Sequence, residues 1–372
     1  MHPYSVVVPL RSTNRLQIKT AVQSQSTVPM WEYQITSPVD GMSYTGVMVG
    51  ASPFFNGART ISIPTVIVPL IIKMPDGGVF DPTAVDTCAG SQSPIVFVQG
   101  SPALQSANFT MNGINLGTGQ YVDEFQRANF YEANVATTGD SYHVTLSPIT
   151  TIAAQTVTIP SGEGATYARG CGSHQGVMDF DTFYDTLVNT VFPTLPSQVA
   201  PNTFPIFILH NVVMADPGIS PNTNCCVIGF HAAFGGGLTV KPDATGIHVA
   251  AASGIQTFTI ADYDSTGFFF REPDISGLSH EIAEWMNDPL GTNPTPNWGH
   301  VGQVSACQDN LEVADPLTGT TFASVAMPNG MTYHPQELAY YSWFFRESPS
   351  IGAGGFYSDN GTFRSTAGAV CQ

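Results

Sequence analysis

The stretch Ser279-His280-Glu281-Ile282-Ala283-Glu284-Trp285 combines three ionisable side chains with the apolar spacing of an α-helix. Leu278, Ile282 and Trp285 recur at intervals that place them on one face. We therefore predict a helix over residues 276–287. It should end at Asn287-Asp288 because the residue before Pro289 is displaced from the α region.

The polar face of this helix has the spacing of a catalytic zinc site. Such a site needs three protein ligands, one open coordination position and a base beside the attacking water. His280 and Glu284 are four residues apart, so they project from the same face and can share one ion. Glu281 lies about 100° around the helix, where a carboxylate can reach the water without binding the ion.

Glu284 is the unusual member of this pattern, which more often has a second histidine at that position. A glutamate is an acceptable zinc ligand, but it adds negative charge and weakens the Lewis acidity of the ion. The competing interpretation is that the three polar residues form the solvated face of an ordinary helix. That interpretation is less favoured because only 10% of the residues in this chain are charged.

Composition limits the classes of protein to which the chain can belong. Its 372 residues suit two domains, and the 42% of apolar residues suffice for real cores. The net charge of −17 includes no cluster of Lys and Arg that could bind a phosphate backbone, so we exclude nucleic-acid binding. No uncharged apolar stretch is long enough to predict a membrane span.

The six cysteines and the acidic, lysine-poor composition favour an extracellular protein. They permit up to three disulfides, and we expect the adjacent Cys225 and Cys226 to bond to different partners. No signal-peptide pattern is visible at residues 1–5, so secretion is an expectation from composition alone.

The pattern of apolar runs predicts an α+β protein with a boundary near residue 160. Residues 1–160 should form an all-β, sandwich-like module with one helix at 121–131, and residues 161–372 an αβ domain, separated by the turn-forming segment 160–166. The strands predicted in the first part are 6–10, 65–72, 94–98 and 141–146. The second part should contain helices at 180–192, 276–287 and 335–345 and strands at 204–213, 226–234, 247–252 and 257–261.

The segment 178–315 resembles the zincin metallopeptidases, in a variant with HExxE and a downstream Glu-x-x-Asp segment. The resemblance rests on the order of an amphipathic helix, several strands and the motif helix, and on the stretch Asn310-Leu311-Glu312-Val313-Ala314-Asp315. It implies a zincin-like αβ catalytic domain, Glu312 as the third zinc ligand and Asp315 as the group that orients His280. The chain departs from the thermolysin-like pattern at Glu284 and by one residue in the spacing between Glu312 and Asp315.

Other residues could also complete the ligand set. We rank Glu312 first, followed by His231, Asp288 and Asp315. His231 lies between apolar residues of a predicted strand, where it is a core residue, a ligand or an imidazole that stabilises an oxyanion. His300 should instead be a solvated residue of a loop. His334 should be part of the N-terminus of a helix.

The sequence therefore predicts a secreted zinc-dependent metallopeptidase that takes a peptide or protein substrate and one zinc ion per chain. His280, Glu284 and Glu312 would bind the ion, Glu281 would be the general base, and His231 would assist catalysis. The alternative is a non-catalytic extracellular binding or surface protein on the same scaffold, with a structural cation or no metal.

Overall fold

Strands dominate the described part of this protein, with 42% strand and 20% helix. The computed structural model describes residues 4–11, 27–54, 59–89, 92–136, 142–169, 173–215, 225–242, 248–269, 273–367 and 371. A single curled mixed sheet contains thirteen of the strands. The predicted fold class, a sandwich-like module followed by a zincin-like αβ domain, is therefore wrong.

Strands from both sides of residue 160 belong to this sheet, whose central order is β10-β11-β13-β14-β15-β12-β4-β5. β1 pairs with β14, β2 with β15 and β3, and β8 and β9 both with β4. The bounds are β1 Tyr4–Arg11, β2 Met30–Thr36, β3 Ser43–Val49, β4 Arg59–Lys73, β5 Val79–Phe80, β6 Ala107–Met111, β7 Ile114–Gly119, β8 Tyr142–Thr151, β9 Gln155–Thr158, β10 Gly164–Ala168, β11 His174–Asp179, β12 Phe204–His210, β13 Val212–Ala215, β14 Cys225–Pro242, β15 His248–Tyr263, β16 Pro294–Val301, β17 Val304–Asn310, β18 Val325–Ala326 and β19 Thr332–Tyr333.

The sheet is buried on both faces because its central strands alternate between two apolar clusters. In β12, Phe204 and Ile206 belong to one cluster, whereas Phe207 belongs to the other. This period of two is the ordinary geometry of a strand. In β14, Phe230 and Ala232 belong to the second cluster. The intervening His231 therefore lies on the opposite face, which packs against the helix Ser276–Asn287.

Five α-helices accompany the sheet in the described part of the chain: Pro94–Gln99, Tyr121–Asn129, Phe180–Thr186, Ser276–Asn287 and Tyr341–Phe344. The predicted helix at 276–287, called the motif helix below, is confirmed at both ends. The predictions at 121–131 and 180–192 are also confirmed in position. The first continues as a π-helix at Tyr131–Val135, and the second continues through π- and 3-10 turns to Thr194.

Two local predictions are wrong. Residues 94–98 form a helix instead of a strand, because Pro94 occupies its first turn and Ile95, Phe97 and Val98 are buried on its inner side. Only four residues of the predicted helix 335–345 are helical. The backbone N–H groups of Glu337 and Ala339 instead donate to the carbonyls of Thr320 and Val313.

The structure agrees in part with the expectation of no membrane span, and it contradicts the expected pairing of two cysteines. Among the described residues, no helix is long and apolar enough to cross a membrane. The sulfur atoms of Cys225 and Cys226 lie at disulfide distance from each other, contrary to the expectation of different partners. The sulfur atoms of Cys307 and Cys371 form a second such pair, and Cys171 lies outside the described residues.

Candidate metal centre

The motif helix buries its ionisable side chains along with its apolar ones. Leu278, Ile282 and Trp285 pack into the main apolar cluster as predicted. His280, Glu281 and Glu284 are only 1%, 0% and 1% exposed, respectively. A solvated helix face therefore does not describe these residues. Burial of charged groups is costly unless they are paired or bind a cation, so their partners decide what they do.

His280 is oriented through one ring nitrogen and leaves the other uncommitted. Its Nδ1 lies 3.0 Å from Oε1 of Gln336, whose Nε2 donates to the carbonyl of Ala314 over 2.7 Å. Because this amide orientation makes Oε1 an acceptor, Nδ1 carries a hydrogen, so in the neutral form of the ring Nε2 carries the lone pair. Nε2 lies 3.0 Å from Oε1 of Glu284 and 3.4 Å from Oδ1 of Asp315. It has no hydrogen-bond partner.

His231 is held in the same manner from strand β14. Its Nε2 lies 3.0 Å from the backbone carbonyl oxygen of Asp288, which can only accept, so Nε2 carries the hydrogen. In the neutral form of the ring, Nδ1 therefore carries the lone pair; it has no hydrogen-bond partner. It lies 3.5 Å from Oε2 of Glu281 and 3.7 Å from Oε2 of Glu284.

The other carboxyl groups of the cluster are better satisfied than Glu281. Oε1 of Glu312 accepts from Asn310 over 2.8 Å, and its Oε2 lies 3.9 Å from Nε2 of His231. Asp315 accepts from Gln303 and, over 3.2 Å, from Gln308. Both carboxylate oxygens of Glu281 are buried without a hydrogen-bond partner.

A glycine on the adjacent strand makes room for Glu281. A Cβ added at Gly229 of β14 would lie 2.7 Å from Cγ and 2.8 Å from Oε1 of Glu281. These separations are shorter than real Cβ contacts, so only a glycine permits this approach of helix and strand. The position of Glu281 therefore depends on a residue that the sequence did not single out.

Burial dominates the electrostatics of the centre. It raises the pKa of Asp315 to about 7 and that of Asp288 to about 6. Burial and the neighbouring Glu284 also raise the pKa of Glu312 well above its usual range. Burial opposes protonation of His280, but Glu284 and Asp315 outweigh it and raise the pKa of that imidazole well above its usual range. The cluster therefore keeps protons that a bound cation would replace.

The structure brings most of the predicted site residues together in two overlapping groups. His280, Glu284 and Asp315 offer ligand atoms that all lie within 4.8 Å of one another, and so do His231, Glu281 and Glu284. Glu312, the predicted third ligand, contacts His231 and lies outside both sets. Gln336 orients His280 from Nδ1, whereas Asp315, predicted for that role, faces the free Nε2.

Two of the remaining candidates, His300 and His334, lie apart from this cluster, whereas Asp288 borders it beside His231. His300 is exposed, as expected. His334 pairs with Asp274, 2.7 Å from its Nδ1. The side chain of Asp288 accepts from the backbone N–H groups of Thr292 and Asn293, as a residue that forms a turn does.

Another group of possible ligands, Asp123, Glu124 and His143, has an arginine beside it. Asp123 accepts from Nδ1 of His143 and from the backbone N–H of Val144, each over 2.7 Å. Arg127 lies 2.9 Å from both the carboxylate of Glu124 and Nε2 of His143. The carboxylates of this group therefore have the positive charge of an arginine beside them.

The donor atoms of the cluster fit a divalent cation. An imidazole nitrogen with carboxylate oxygens suits zinc, and the same set also serves other first-row metals. The uncommitted Nε2 of His280, Nδ1 of His231 and carboxylate of Glu281 are the buried atoms that such an ion would satisfy. Comparisons of the chain with protein-family models, curated proteins and solved structures found no match.

Proposed function

We propose that this protein is a zinc-dependent hydrolase that cleaves peptide bonds, on a scaffold other than the zincin fold. The supporting observation is one helix that places an oriented, uncommitted imidazole beside an uncommitted carboxylate. These are Nε2 of His280 and the two oxygens of Glu281. A hydrolytic zinc site requires such a ligand and such a base next to each other.

The ligands of the proposed zinc ion are His280, Glu284 and Asp315. Asp315 takes the place predicted for Glu312, because Oδ1 of Asp315 lies 3.4 Å from the free nitrogen of His280. Asp315 is also the ligand nearest to solvent, with 7% of its surface exposed. The half-buried Gln303 and Gln308 donate to it from the β16–β17 hairpin, so a substrate would approach from this side.

His280, Glu284 and Asp315 would hold the zinc ion, which would supply the Lewis acidity that polarises a scissile carbonyl group. Glu281 accepts the proton of the attacking water and passes it to the leaving amine. Burial raises the pKa of this carboxyl above its ordinary value, which brings its proton affinity closer to that required at neutral pH. His231, when protonated at Nδ1, is the donor available to the developing oxyanion.

The test compares Glu281→Gln with His280→Ala. We expect Glu281→Gln to keep its zinc and lose hydrolysis of a peptide library, and His280→Ala to lose both. Glu124→Gln is the matched control because Glu124 is 0% exposed but belongs to a different cluster. Wild-type turnover by folded Glu281→Gln protein would exclude Glu281 as the base.

Burial supports a second candidate function, a non-catalytic extracellular binding protein with a structural cation. None of the cluster residues is more than 7% exposed, as in a closed structural site. This candidate predicts that chelation lowers the melting temperature while the zinc-loaded wild type cleaves no peptide. An extracellular location is part of both proposals and rests on composition and cysteine pairs. Detection of the protein only inside its producing cells would contradict it.

A further inference from the structure

The two carboxylate oxygens of Glu284 face two different imidazoles. Oε1 lies 3.0 Å from Nε2 of His280, and Oε2 lies 3.7 Å from Nδ1 of His231. A carboxylate in this position can bridge two cations, one on the His280 side and one on the His231 side. The proposed zinc ion uses only the first side.

The side chains on the His231 side are buried and oriented like the ligands of a metal ion. His231 is 0% exposed, and its Nε2–H is fixed by the carbonyl of Asp288, so the lone pair of Nδ1 is directed at the two glutamates. Nδ1 of His231 and both oxygens of Glu281 have no hydrogen-bond partner. These unpartnered atoms are an observation independent of the acidic character of the cluster.

The separations on both sides suit a common coordination geometry. Two ligands about 2.1 Å from a tetrahedral ion are about 3.4 Å apart. On the His231 side, Nδ1 lies 3.5 Å from Oε2 of Glu281 and 3.7 Å from Oε2 of Glu284. On the His280 side, the corresponding separations are 3.0 Å to Glu284 and 3.4 Å to Asp315. The two sides are therefore comparable in size.

Charge also favours two cations. Five buried carboxyl groups surround the two histidines: Glu281, Glu284, Asp288, Glu312 and Asp315. One divalent cation offsets two of the charges that these groups carry when ionised. A second divalent cation would offset two more of these charges.

We propose that this protein binds a second divalent cation between Nδ1 of His231, Oε2 of Glu281 and Oε2 of Glu284, with Glu284 bridging the two ions. This second ion takes the carboxylate that would otherwise accept the proton of water. Its kinetic consequence, which rests on the proposed function, is that hydrolysis increases with the first equivalent of zinc and falls as the second site fills.

The test is a titration of the chelator-treated full chain with Co²⁺, followed by absorption, and with Mn²⁺, followed by electron paramagnetic resonance. We expect two binding steps and, at saturation, the spectrum of an exchange-coupled pair. His231→Gln and Glu281→Gln should each lose the second step or weaken it at least tenfold, while the first step is retained. Glu281→Gln keeps the shape of the side chain and serves if His231→Gln does not fold.

A single binding step in the wild type would overturn the second site, and so would two unchanged steps in both folded variants. The proposed function fails separately. Two bound cations without peptide cleavage at any zinc concentration would refute the hydrolase and leave the second site standing. Peptide cleavage by a protein that binds only one cation would support the hydrolase and refute the second site.

Discussion

Replacement of Gln336 by methionine tests how the centre is oriented. Gln336 is 0% exposed; its Oε1 lies 3.0 Å from Nδ1 of His280, and its Nε2 donates to the carbonyl of Ala314. Methionine keeps a similar length but removes both hydrogen bonds. Two buried groups lose their partners, at a cost of about 1–3 kcal/mol each. His280 also loses the acceptor that fixes its free nitrogen toward Glu284 and Asp315.

We expect Gln336→Met to bind zinc about 10–100-fold more weakly, as is usual when the group that orients a histidine ligand is removed. In free energy this is about 1.4–2.7 kcal/mol. The assay is competition for zinc with a chromophoric chelator, combined with the melting temperature of the metal-free protein. The backbone N–H of Gln336 still donates to Ser279, so the chain at this position should keep its course.

Gln120→Met is the matched control. Gln120 is 8% exposed and lies away from the centre; its Nε2 donates to the carbonyls of Leu104 and Leu146, and its Oε1 accepts from the backbone N–H of Leu146. This variant should lose at least as much stability and keep its zinc affinity. Wild-type affinity in Gln336→Met, or an equal loss in both variants, would refute the role given to Gln336.

Three further predictions concern the framework of the site. Burial raises the pKa of Asp262 well above its ordinary value, so the folded chain keeps a proton that the unfolded chain releases, and stability falls as pH increases above about 4. Asp262→Asn should remove this loss and be more stable at pH 8 by about 1.4 kcal/mol per unit of raised pKa. The ring of Trp285 stacks on Phe204, with the ring centroids 3.4 Å apart. Replacement of Trp285 by alanine should lower the free energy of unfolding by about 3–5 kcal/mol, and replacement by phenylalanine should lower it much less. Gly229→Ala should cost about 1–3 kcal/mol and abolish hydrolysis because the added methyl group overlaps Glu281, whereas Gly277→Ala should be tolerated.

Urea unfolding at pH 5 and pH 8 measures the first two of these effects, and peptide hydrolysis measures the third. The first prediction is contradicted if the free energy of unfolding changes equally between pH 5 and pH 8 in the wild type and in Asp262→Asn. The second fails if the alanine and phenylalanine variants of Trp285 are equally unstable. Gly277 is an informative control because its added Cβ would first meet the end of the Ile228 side chain, at 3.3 Å. Full activity in Gly229→Ala would refute the packing argument for Glu281.

The motif helix was predictable because its signals are local. The spacing of Leu278, Ile282 and Trp285 and the stop before Pro289 together define the helix at 276–287. The same spacing placed His280 and Glu284 together, and the structure agrees at 3.0 Å. Periodicity and proline positions act within a few residues, so they remain readable in a single sequence.

The fold class was not predictable because it depends on long-range pairing. β4 pairs in parallel with β12, which lies more than a hundred residues later, and such a register leaves no local pattern. Similarly, Gln336 has no spacing relation to His280, and Gly229 is one glycine among 36. Whether Glu312 or Asp315 faces His280 depends on how the residues after β17 pack against the motif helix, which residue spacing does not define.

The central claim is that the buried cluster on the motif helix is a metal centre that binds its ion with nitrogen and oxygen atoms. An X-ray absorption spectrum of the protein loaded with one equivalent of zinc tests it most directly. The account predicts only nitrogen and oxygen ligands at about 2.0–2.2 Å, with the outer scattering of one imidazole. A sulfur ligand at about 2.3 Å, or an oxygen shell without imidazole, would contradict it.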